Sequence, residues 1–422
     1  MTRTFIADVA AGTETTISGW IETIRDQGSI AFVIVRDKSG SMQVVVKDEQ
    51  LLEEITSLTQ ESVVSFTGHA EAVEQAPGGI ELKPDSVEVI AEAETPLPFQ
   101  PTDGAPAGLD TRLDNRFIDL RDPEIRAKFS VAAQVADTFA DHLEGRSFEE
   151  IYPPGIIGSA SEGGSELFSL PYFEKTAYLA QSPQLYKQMC VVGGMERVYD
   201  VSRIWRAEKS NTPKHLTEAI QLDMEMGFAD ADDVIDVAFD FLQQVERDVN
   251  ELCGDELETL DVEVELGEPQ RVTYTEAIEL LQEEGHDIEW GEDLGTPAER
   301  KLSEVVGWDS PIAVTAWPDE MKEFYVMPRD DELSEGFDLL FRGLELASGG
   351  QRVHLPELLE ERIAEQGLDP RDFEGYIRTF RYGSPPHAGW AIGFERLVMK
   401  LLGQDNIREV TLFPRDPDRI TP

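Results

Sequence analysis

The sequence predicts an α+β protein in two parts, an all-β barrel over residues 1–95 and a larger domain of helices and strands over residues 122–422. Three observations carry that prediction. Alternating apolar runs crowd the first 90 residues, prolines and acids fill the stretch after them, and helical periodicity begins at Asp122-Pro123. The runs Thr16–Arg25 (TISGWIETIR), Ile30–Arg36 (IAFVIVR) and Met42–Lys47 (MQVVVK) read as strands, and Asp37-Lys38-Ser39-Gly40 marks a turn between the last two. Residues 48–58 carry a short helical pattern. Two more strand-like runs follow at 63–73 and 80–90, split by Ala76-Pro77-Gly78-Gly79. Three strands, a helix and two strands is the order of a five-stranded barrel of OB type, although a small β-sandwich would show the same pattern.

Pro96, Pro98, Pro101 and Pro106 make residues 96–121 a semi-rigid linker. The second domain opens with Asp122 as helix cap and Pro123 at the first helical position. Phe129, Ala132, Ala136, Phe139 and Leu143 then recur at helical spacing until Gly145. Further helices are predicted over 182–192, with Ser182 as cap, and over 232–253. In the latter, Val234, Val237, Phe241, Val245, Val249 and Leu252 share one face. Strand-like runs Arg197–Ile204 and Ala219–Phe228 lie between the two.

The composition is strongly acidic: 36 Lys and Arg against 84 Asp and Glu, a net charge of −48. Hydrophobic residues at 41% are enough for a core and exclude a disordered acidic chain. An acidic surface argues against a simple electrostatic nucleic-acid binder, which needs a basic footprint. It also fits adaptation to salt. At 1 M salt the Debye length is about 3 Å, so surface charges hardly repel one another and a large net charge favours solubility. The scarcity of lysine, 11 against 25 arginines, agrees with that halophilic reading. Two cysteines, Cys190 and Cys253, exclude a disulfide framework and have no metal-ligand spacing. No apolar run approaches the ~18 residues of a membrane span and no signal-peptide core is visible, so a cytoplasmic location is expected.

Three segments concentrate chemistry. Val198–Phe228 holds two alternating runs around a polar loop with Arg206, Glu208, Lys209, Lys214, His215 and Glu218. An Arg at the end of the first strand can present a guanidinium to a phosphate, although a solvated hairpin tip would look similar. In Phe337–Pro356, Asp338 and Glu345 could supply hard oxygen ligands to Mg²⁺, and Arg352 follows Ser348-Gly349-Gly350 as a carboxylate or phosphate clamp. In Gly389–Leu397 a Gly-rich strand runs into a helix that opens Phe394-Glu395-Arg396.

Together these segments resemble the three signature motifs of class II aminoacyl-tRNA synthetases: a helix ending in the strand Phe148–Pro154, a strand–loop–strand with Arg206 and Glu208, and Gly389–Arg396. The segments QSPQLYK (Gln181–Lys187), Arg206-Ala207-Glu208, HLTE (His215–Glu218), GLELASGGQR (Gly343–Arg352) and GFER (Gly393–Arg396) are similar to aspartyl-tRNA synthetases of the archaeal type. The resemblance covers essentially the whole chain, barrel included. It lacks the domain that bacterial members insert between the second and third motifs. Three other readings are weighed against it: an asparaginyl enzyme of the same superfamily, a non-catalytic tRNA-binding paralog, and a plain OB-fold nucleic-acid binder, which leaves the long second domain unexplained.

The resemblance implies an antiparallel catalytic sheet flanked by helices, ATP-dependent activation of L-aspartate to aspartyl-adenylate, and transfer to the 3′ end of tRNA(Asp); some members of the family charge tRNA(Asn) as well and others do not, and the sequence leaves both open. It assigns Lys187 and Arg352 to the aspartate side-chain carboxylate. The substrate ammonium goes to Glu162, in Ser161-Glu162-Gly163-Gly164, and to Asp223, with Gln184 beside them and Ser348 in the same subsite. Arg206 is the catalytic residue, bridging the substrate α-carboxylate and the ATP α-phosphate. ATP is held by Arg206, Ala207, Glu208, Lys214, His215, Leu216, Glu345, Gly393, Phe394, Glu395 and Arg396. Mg²⁺ falls to Glu345 and Ser348, with Asp338 as a further ligand. Many relatives carry a Phe that sandwiches adenine where this chain has Ala219, which leaves the stacking to His215. In the barrel, Phe32 stacks an anticodon base and Gln43 hydrogen-bonds the central uridine, although plain core burial would also account for Phe32. Glu22 and Pro84 sit where tRNA discrimination is set. A homodimer is implied, because the first motif (Phe139–Pro154) forms the class II interface.

Overall fold

In the computed structural model, which describes residues 3–102, 107–158, 167–329 and 332–422, the chain divides into two units, Met1–Gln100 and Pro101–Pro422. In the first, β1 (Glu14–Asp26), β2 (Ala31–Asp37), β3 (Gly40–Val46), β4 (Val63–Ala72) and β5 (Ile80–Ala91) close into a barrel. The strand order is β1-β2-β3-β5-β4, with α1 (Glu49–Thr56) between β3 and β4. Closure decides for the barrel over the sandwich. Period two drives it: Val33, Val35, Val44 and Val46 point inward with no exposure, and Ile17, Ile55, Phe66 and Leu82 complete the core. Phe32 and Ile34 take the opposite face of β2 and are half-buried. The turn after β2 is held by Asp37, whose buried carboxylate accepts from the Ser39 amide (2.7 Å) and from the Ile6 amide (3.1 Å).

The second unit runs α2 (Leu109–Asp114), α3 (Arg116–Asp119), α4 (Pro123–Glu144), β6 (Glu149–Glu150), β7 (Ile156–Ile157), β8 (Ser169–Tyr172), β9 (Lys175–Leu179), α5 (Gln184–Cys190), β10 (Arg197–Trp205) and β11 (Glu218–Gly227). It continues with α6 (Ala231–Leu252), α7 (Gly254–Leu260), β12 (Gln270–Thr273), α8 (Tyr274–Glu283), α9 (Thr296–Val306), β13 (Ile312–Thr315), β14 (Gly336–Phe341), β15 (Leu344–Gln351), α10 (Pro356–Glu365), α11 (Glu374–Phe380), β16 (His387–Gly393) and α12 (Phe394–Leu401). Among the described residues one eight-stranded sheet dominates, in the order β12-β13-β14-β15-β16-β11-β10-β6. Its middle is antiparallel, whereas β12–β13 and β10–β6 at the two edges pair parallel.

Helices α4 and α6 cover one face of the sheet. Phe139, Phe241, Val245 and Val249 pack there with Leu222, Met224 and Trp390 of the central strands. The apolar stripes are close to expectation with two departures. On α4 the buried face is centred on Val131, Val135 and Phe139, so Phe129 and Ala136 lie at its border. On α6, Leu252 at the last turn is 61% exposed. The caps follow the sequence: Asp122 accepts from the Glu124 amide (2.8 Å), and Asp230 and Asp233 form a reciprocal box at α6.

The linker expected over 96–121 crosses the division between the units after Gln100, and its part in the second unit is helical from Leu109 onward. Arg116 is fully buried and donates to the carbonyls of Arg408 (2.9 Å), Thr411 (2.6 Å) and Leu412 (2.9 Å). Arg112 pairs with Asp119 (2.8 Å) and Glu409 (3.0 Å). Proline content marked the stretch as spacer, but these two arginines fasten its second half. No helix among the described residues is long and apolar enough to cross a membrane.

Candidate active site

The face of the sheet opposite α4 and α6 carries the chemistry. On β11, Leu222, Met224 and Met226 enter the core, so Gln221, Asp223 and Glu225 face the other way. The register lines Asp223 up with Ala391 on β16, Ser348 on β15 and Asp338 on β14, and with Asp200 on β10. One row across five strands thus holds three acids and a serine.

A bulge adds a fourth acid. Leu340 pairs with Glu345 but Leu339 pairs with Ala347, so Leu346 is the extra residue of β15. The slip places Glu345 and Ser348, three apart in sequence, both half-exposed, while Leu346, Ala347, Gly349 and Gly350 are buried. Both line a cavity of about 320 Å³.

That cavity brings together most of the residues singled out from the sequence: Gln184, Arg206, Glu208, Lys214, His215, Leu216, Asp223, Asp338, Glu345, Ser348, Arg352, Gly393, Glu395 and Arg396. Five of the chain's 36 Lys and Arg line it, Arg206, Lys214, Lys322, Arg352 and Arg396, which in so acidic a protein marks an anion site. The loop from Arg206 to Thr217 is pinned from outside. Arg408 donates to the Thr212 carbonyl (3.0 Å) and the Asn211 side chain (2.6 Å), and the Thr217 amide donates to the Arg415 carbonyl (2.8 Å). At the opposite wall Arg396 donates to the Glu345 carbonyl (2.9 Å) and lies 3.7 Å from its carboxylate. Withdrawal from water and the charge of Asp338 raise the pKa of Glu345.

His215 sits beside Glu208 (3.7 Å), and its Nδ1 lies 2.6 Å from the Thr212 hydroxyl. Burial, and then Arg396, Lys214 and Arg206, depress its pKa against the pull of Glu208, so the ring is neutral at pH 7. Ala219 lines the same cavity.

Several expectations need correction. Lys187 does not line the cavity. It lies beneath Asp223 with its ammonium on Asp223 Oδ1 (2.9 Å) and the carbonyls of Met224 and Trp390 (both 3.2 Å), 3.4 Å from Glu225. Asp338 lines the cavity with both oxygens 2.8 Å from Lys322 Nζ. Glu395 accepts from the Ile220 amide (3.0 Å), a tether between α12 and β11, and burial pushes its pKa up to about 7. Phe394 packs against the core of the sheet and lines a separate apolar groove, and Ala207 is not among the cavity-lining residues. Glu162 lies outside the described residues.

The sequence reading missed a buried tier behind the cavity. Arg352 donates to Glu225 through Nε (3.0 Å) and Nη2 (3.3 Å), and Glu225 is fully buried. Burial opposes the Glu225 carboxylate, but Arg352 and Lys187 outweigh it and hold its pKa below the usual range. Gly389 faces Glu225 because a Cβ there would come within 2.2 Å of Glu225 Oε2. His387 Nδ1 meets the Pro385 carbonyl (2.9 Å), which leaves Nε2 to accept from Gln188 (3.0 Å). Tyr376 in turn donates to Gln188 (2.8 Å). Asp200 lies beside Asp223 on the neighbouring strand, and burial first, then the charge of Asp223, push its pKa up to about 7. Glu299, near Lys214 (3.8 Å), is raised by burial to about 7 as well. The alternation Gln221-Asp223-Glu225 within an apolar strand was the signal that could have found Glu225.

In the barrel, Phe32 is half-buried on the outer face of β2, so core burial does not account for it. Arg25 lies opposite it, and Gln43 follows on β3 with its amide on Glu81 (3.3 Å). Glu22 is the bulged residue of β1 and accepts from Ser41 (3.0 Å), whereas Pro84 pairs with Gly68 across β5 and β4.

Comparison with known proteins agrees with this geometry. A family described as tRNA synthetases class II (D, K and N) matches residues 108–417, and an OB-fold nucleic acid binding domain matches residues 15–90. The chain is 48% identical to the Aspartate--tRNA(Asp/Asn) ligase of Methanopyrus kandleri, with 99% of each covered. It is 44% identical to the protein of the same name from Archaeoglobus fulgidus, with 100% of each covered. Among solved structures, the asparaginyl-tRNA synthetase of Pyrococcus horikoshii complexed with asparaginyl-adenylate superposes with a TM-score of 0.92 at 33% identity over 100% of both chains. A putative aspartyl-tRNA synthetase from Leishmania major gives 0.91 at 30% identity, over 98% of this chain and 92% of that one. With its second unit matched almost end to end and its barrel matched separately, the chain belongs to the class II tRNA synthetases of the D, K and N group.

Proposed function

We propose that the protein is an aspartate–tRNA ligase that activates L-aspartate with ATP and charges tRNA(Asp) and tRNA(Asn). The observation that carries this reading is one cavity where Arg206, Arg352 and Arg396 converge with Asp223 and Glu345, in a chain nearly half identical to ligases named for both tRNAs. Aspartate enters with its side-chain carboxylate toward Arg352 and its ammonium toward Asp223. Its α-carboxylate attacks the α-phosphorus of ATP and displaces pyrophosphate. The attacking group is already ionised, so no general base is needed. Arg206 faces the phosphate on which negative charge builds, and a guanidinium held in place stabilises that transition state more than the ground state. Glu208, Lys214 and Arg396 hold the nucleotide, and the neutral His215 ring is suited to lie against adenine.

Glu345 and the Ser348 hydroxyl fit a Mg²⁺ that arrives with the nucleotide, since Mg²⁺ favours one or two carboxylates plus phosphate oxygens. When bound, the ion supplies neutralisation of phosphate charge. Lys187 acts from below by fixing Asp223 and Glu225. Phe32 and Gln43 read the anticodon by stacking and a directed hydrogen bond, interactions that survive salt better than phosphate contacts do. Glu22 and Pro84 set the tRNA range. The protein works as a homodimer through α4 and β6, in the cytoplasm, at high salt.

The test is aminoacylation in molar KCl with purified tRNAs. Acid-precipitable aspartate on tRNA(Asp) and on tRNA(Asn) is expected. Charging of tRNA(Asp) alone would make the enzyme discriminating, and charging of neither would overturn the reading.

A further inference from the structure

The loop from Arg206 to Thr217 has neither helix nor strand of its own. Its inner side gives the cavity Arg206, Glu208, Lys214, His215 and Leu216. Its outer edge is bonded to the segment 407–419. There Arg408, 7% exposed, spreads its guanidinium over three acceptors: the Asp416 carboxylate (2.8 Å), the Thr212 carbonyl (3.0 Å) and the Asn211 side chain (2.6 Å). The Ile407 amide donates to the Pro213 carbonyl (2.8 Å), and Asn211 donates to Asp418 (2.7 Å). Arg408 itself is not among the cavity-lining residues.

The same segment is gripped from its other side. Arg116 donates to the Arg408 carbonyl (2.9 Å), Arg112 and Lys128 reach Glu409 (3.0 and 3.3 Å), and Arg419 reaches Asp114 (2.6 Å). Arg408 therefore takes a bond from the linker helices on its carbonyl and gives bonds to the nucleotide loop from its guanidinium. A planar guanidinium serves acceptors in several fixed directions at once, which a lysine ammonium at the same place does not. We propose that Arg408 is the positioning residue of the nucleotide loop and that the helical end of the linker acts through it, so that residues 109–121 and the ATP subsite share one clamp. The inference rests on the reading of the cavity as an ATP site. The aspartate subsite stands outside the clamp, because Asp223 is carried by β11 and Arg352 follows directly on β15.

Aspartate-dependent pyrophosphate exchange in molar KCl separates this role from a merely structural one, which would lower the folded fraction and leave both KM values alone. Arg408→Lys is expected to raise KM for ATP at least about tenfold, since one ammonium cannot keep all three bonds, and KM for aspartate by less than about twofold. Asn211→Ala, at an exposed loop position, is expected to raise KM for ATP about threefold or more in the wild type and to add less than about twofold to Arg408→Lys. A KM for ATP within about twofold of wild type in either variant overturns the inference, as does an equal rise in both KM values. If Arg408→Lys does not fold, Asn211→Ala decides the kinetic test alone. Hydrogen exchange of the wild-type protein, with and without a non-hydrolysable ATP analogue, tests the linker, because a nucleotide that steadies the loop must also steady what holds it. Slower exchange is expected over 206–217, 407–419 and 109–121. Slowing that stops short of 109–121 overturns the inference alone, whereas no slowing at any of the three overturns the reading of the cavity and this inference with it.

Discussion

Substituting Lys187→Met separates two accounts of the amino-acid subsite. The side chain is 1% exposed, and its ammonium holds one carboxylate and two carbonyls. Methionine conserves the volume and removes every one of those bonds. Asp223 is left fully buried with no cation at hydrogen-bond distance, and its Oδ2 has no hydrogen bond to begin with. Removing one partner of a buried ion pair costs about 3–5 kcal/mol. Part of that is recovered as Asp223, its pKa already raised by burial, takes up a proton. A loss of about 2–4 kcal/mol is therefore expected, and it should shrink by at least half in an Asp223→Asn background. Guanidinium unfolding in molar KCl measures both. If Lys187 instead served the substrate directly, the single variant would raise KM for aspartate and leave stability within about 0.5 kcal/mol. That result would refute the account of Lys187 as the support beneath Asp223.

Three further predictions follow from the same tier and from the charge. Asp200 titrates near 7 in the folded chain, above an unfolded carboxylate, so the folded state binds the extra proton between about pH 4 and 7 and loses stability as pH rises through that window. Asp200→Asn should flatten the pH dependence of the melting temperature across that range and stabilise at pH 8 by at most about 4 kcal/mol; an unchanged profile would refute it. Gly389→Ala would bring a methyl group within 2.3 Å of the Met224 carbonyl and displace Glu225 from Arg352, costing about 1–3 kcal/mol and raising KM for aspartate, read from unfolding curves and steady-state kinetics. With a net charge of −48, self-repulsion should unfold or inactivate the protein in dilute buffer and molar KCl should restore it; full stability and activity in dilute buffer would count against salt adaptation.

Much of this was legible in the chain because periodicity reports on burial. The barrel strands emerged within one or two residues, since short runs rich in β-branched residues and bounded by turn residues, such as MQVVVK and IAFVIVR, read as strands. Both faces of IAFVIVR are apolar, so only the closed barrel shows that Phe32 lies outside the core. The three segments 198–228, 337–356 and 389–397 located the cavity because cations are scarce here, and each Arg stood out against its background. What the sequence hid depends on register. Nothing in GLELASGG announces that Leu346 is an extra residue, yet that slip is what turns Glu345 toward Ser348. The partners of Lys187 and Asp338 were equally hidden, because Glu225 and Lys322 reach them across strands or from a neighbouring loop. Arg116 defeated composition in the opposite sense. A stretch that begins like a spacer ends as a clamp on a segment almost 300 residues later, with bonds to the carbonyls of Arg408, Thr411 and Leu412.

The claim at the centre of this account is that the cavity activates aspartate. Amino-acid-dependent exchange of labelled pyrophosphate into ATP, in molar KCl with Mg²⁺, measures it directly. Aspartate is predicted to support exchange and asparagine to give none above background, with Arg206→Ala reducing the aspartate signal by at least about a hundredfold. Exchange driven by asparagine and not by aspartate would contradict the account.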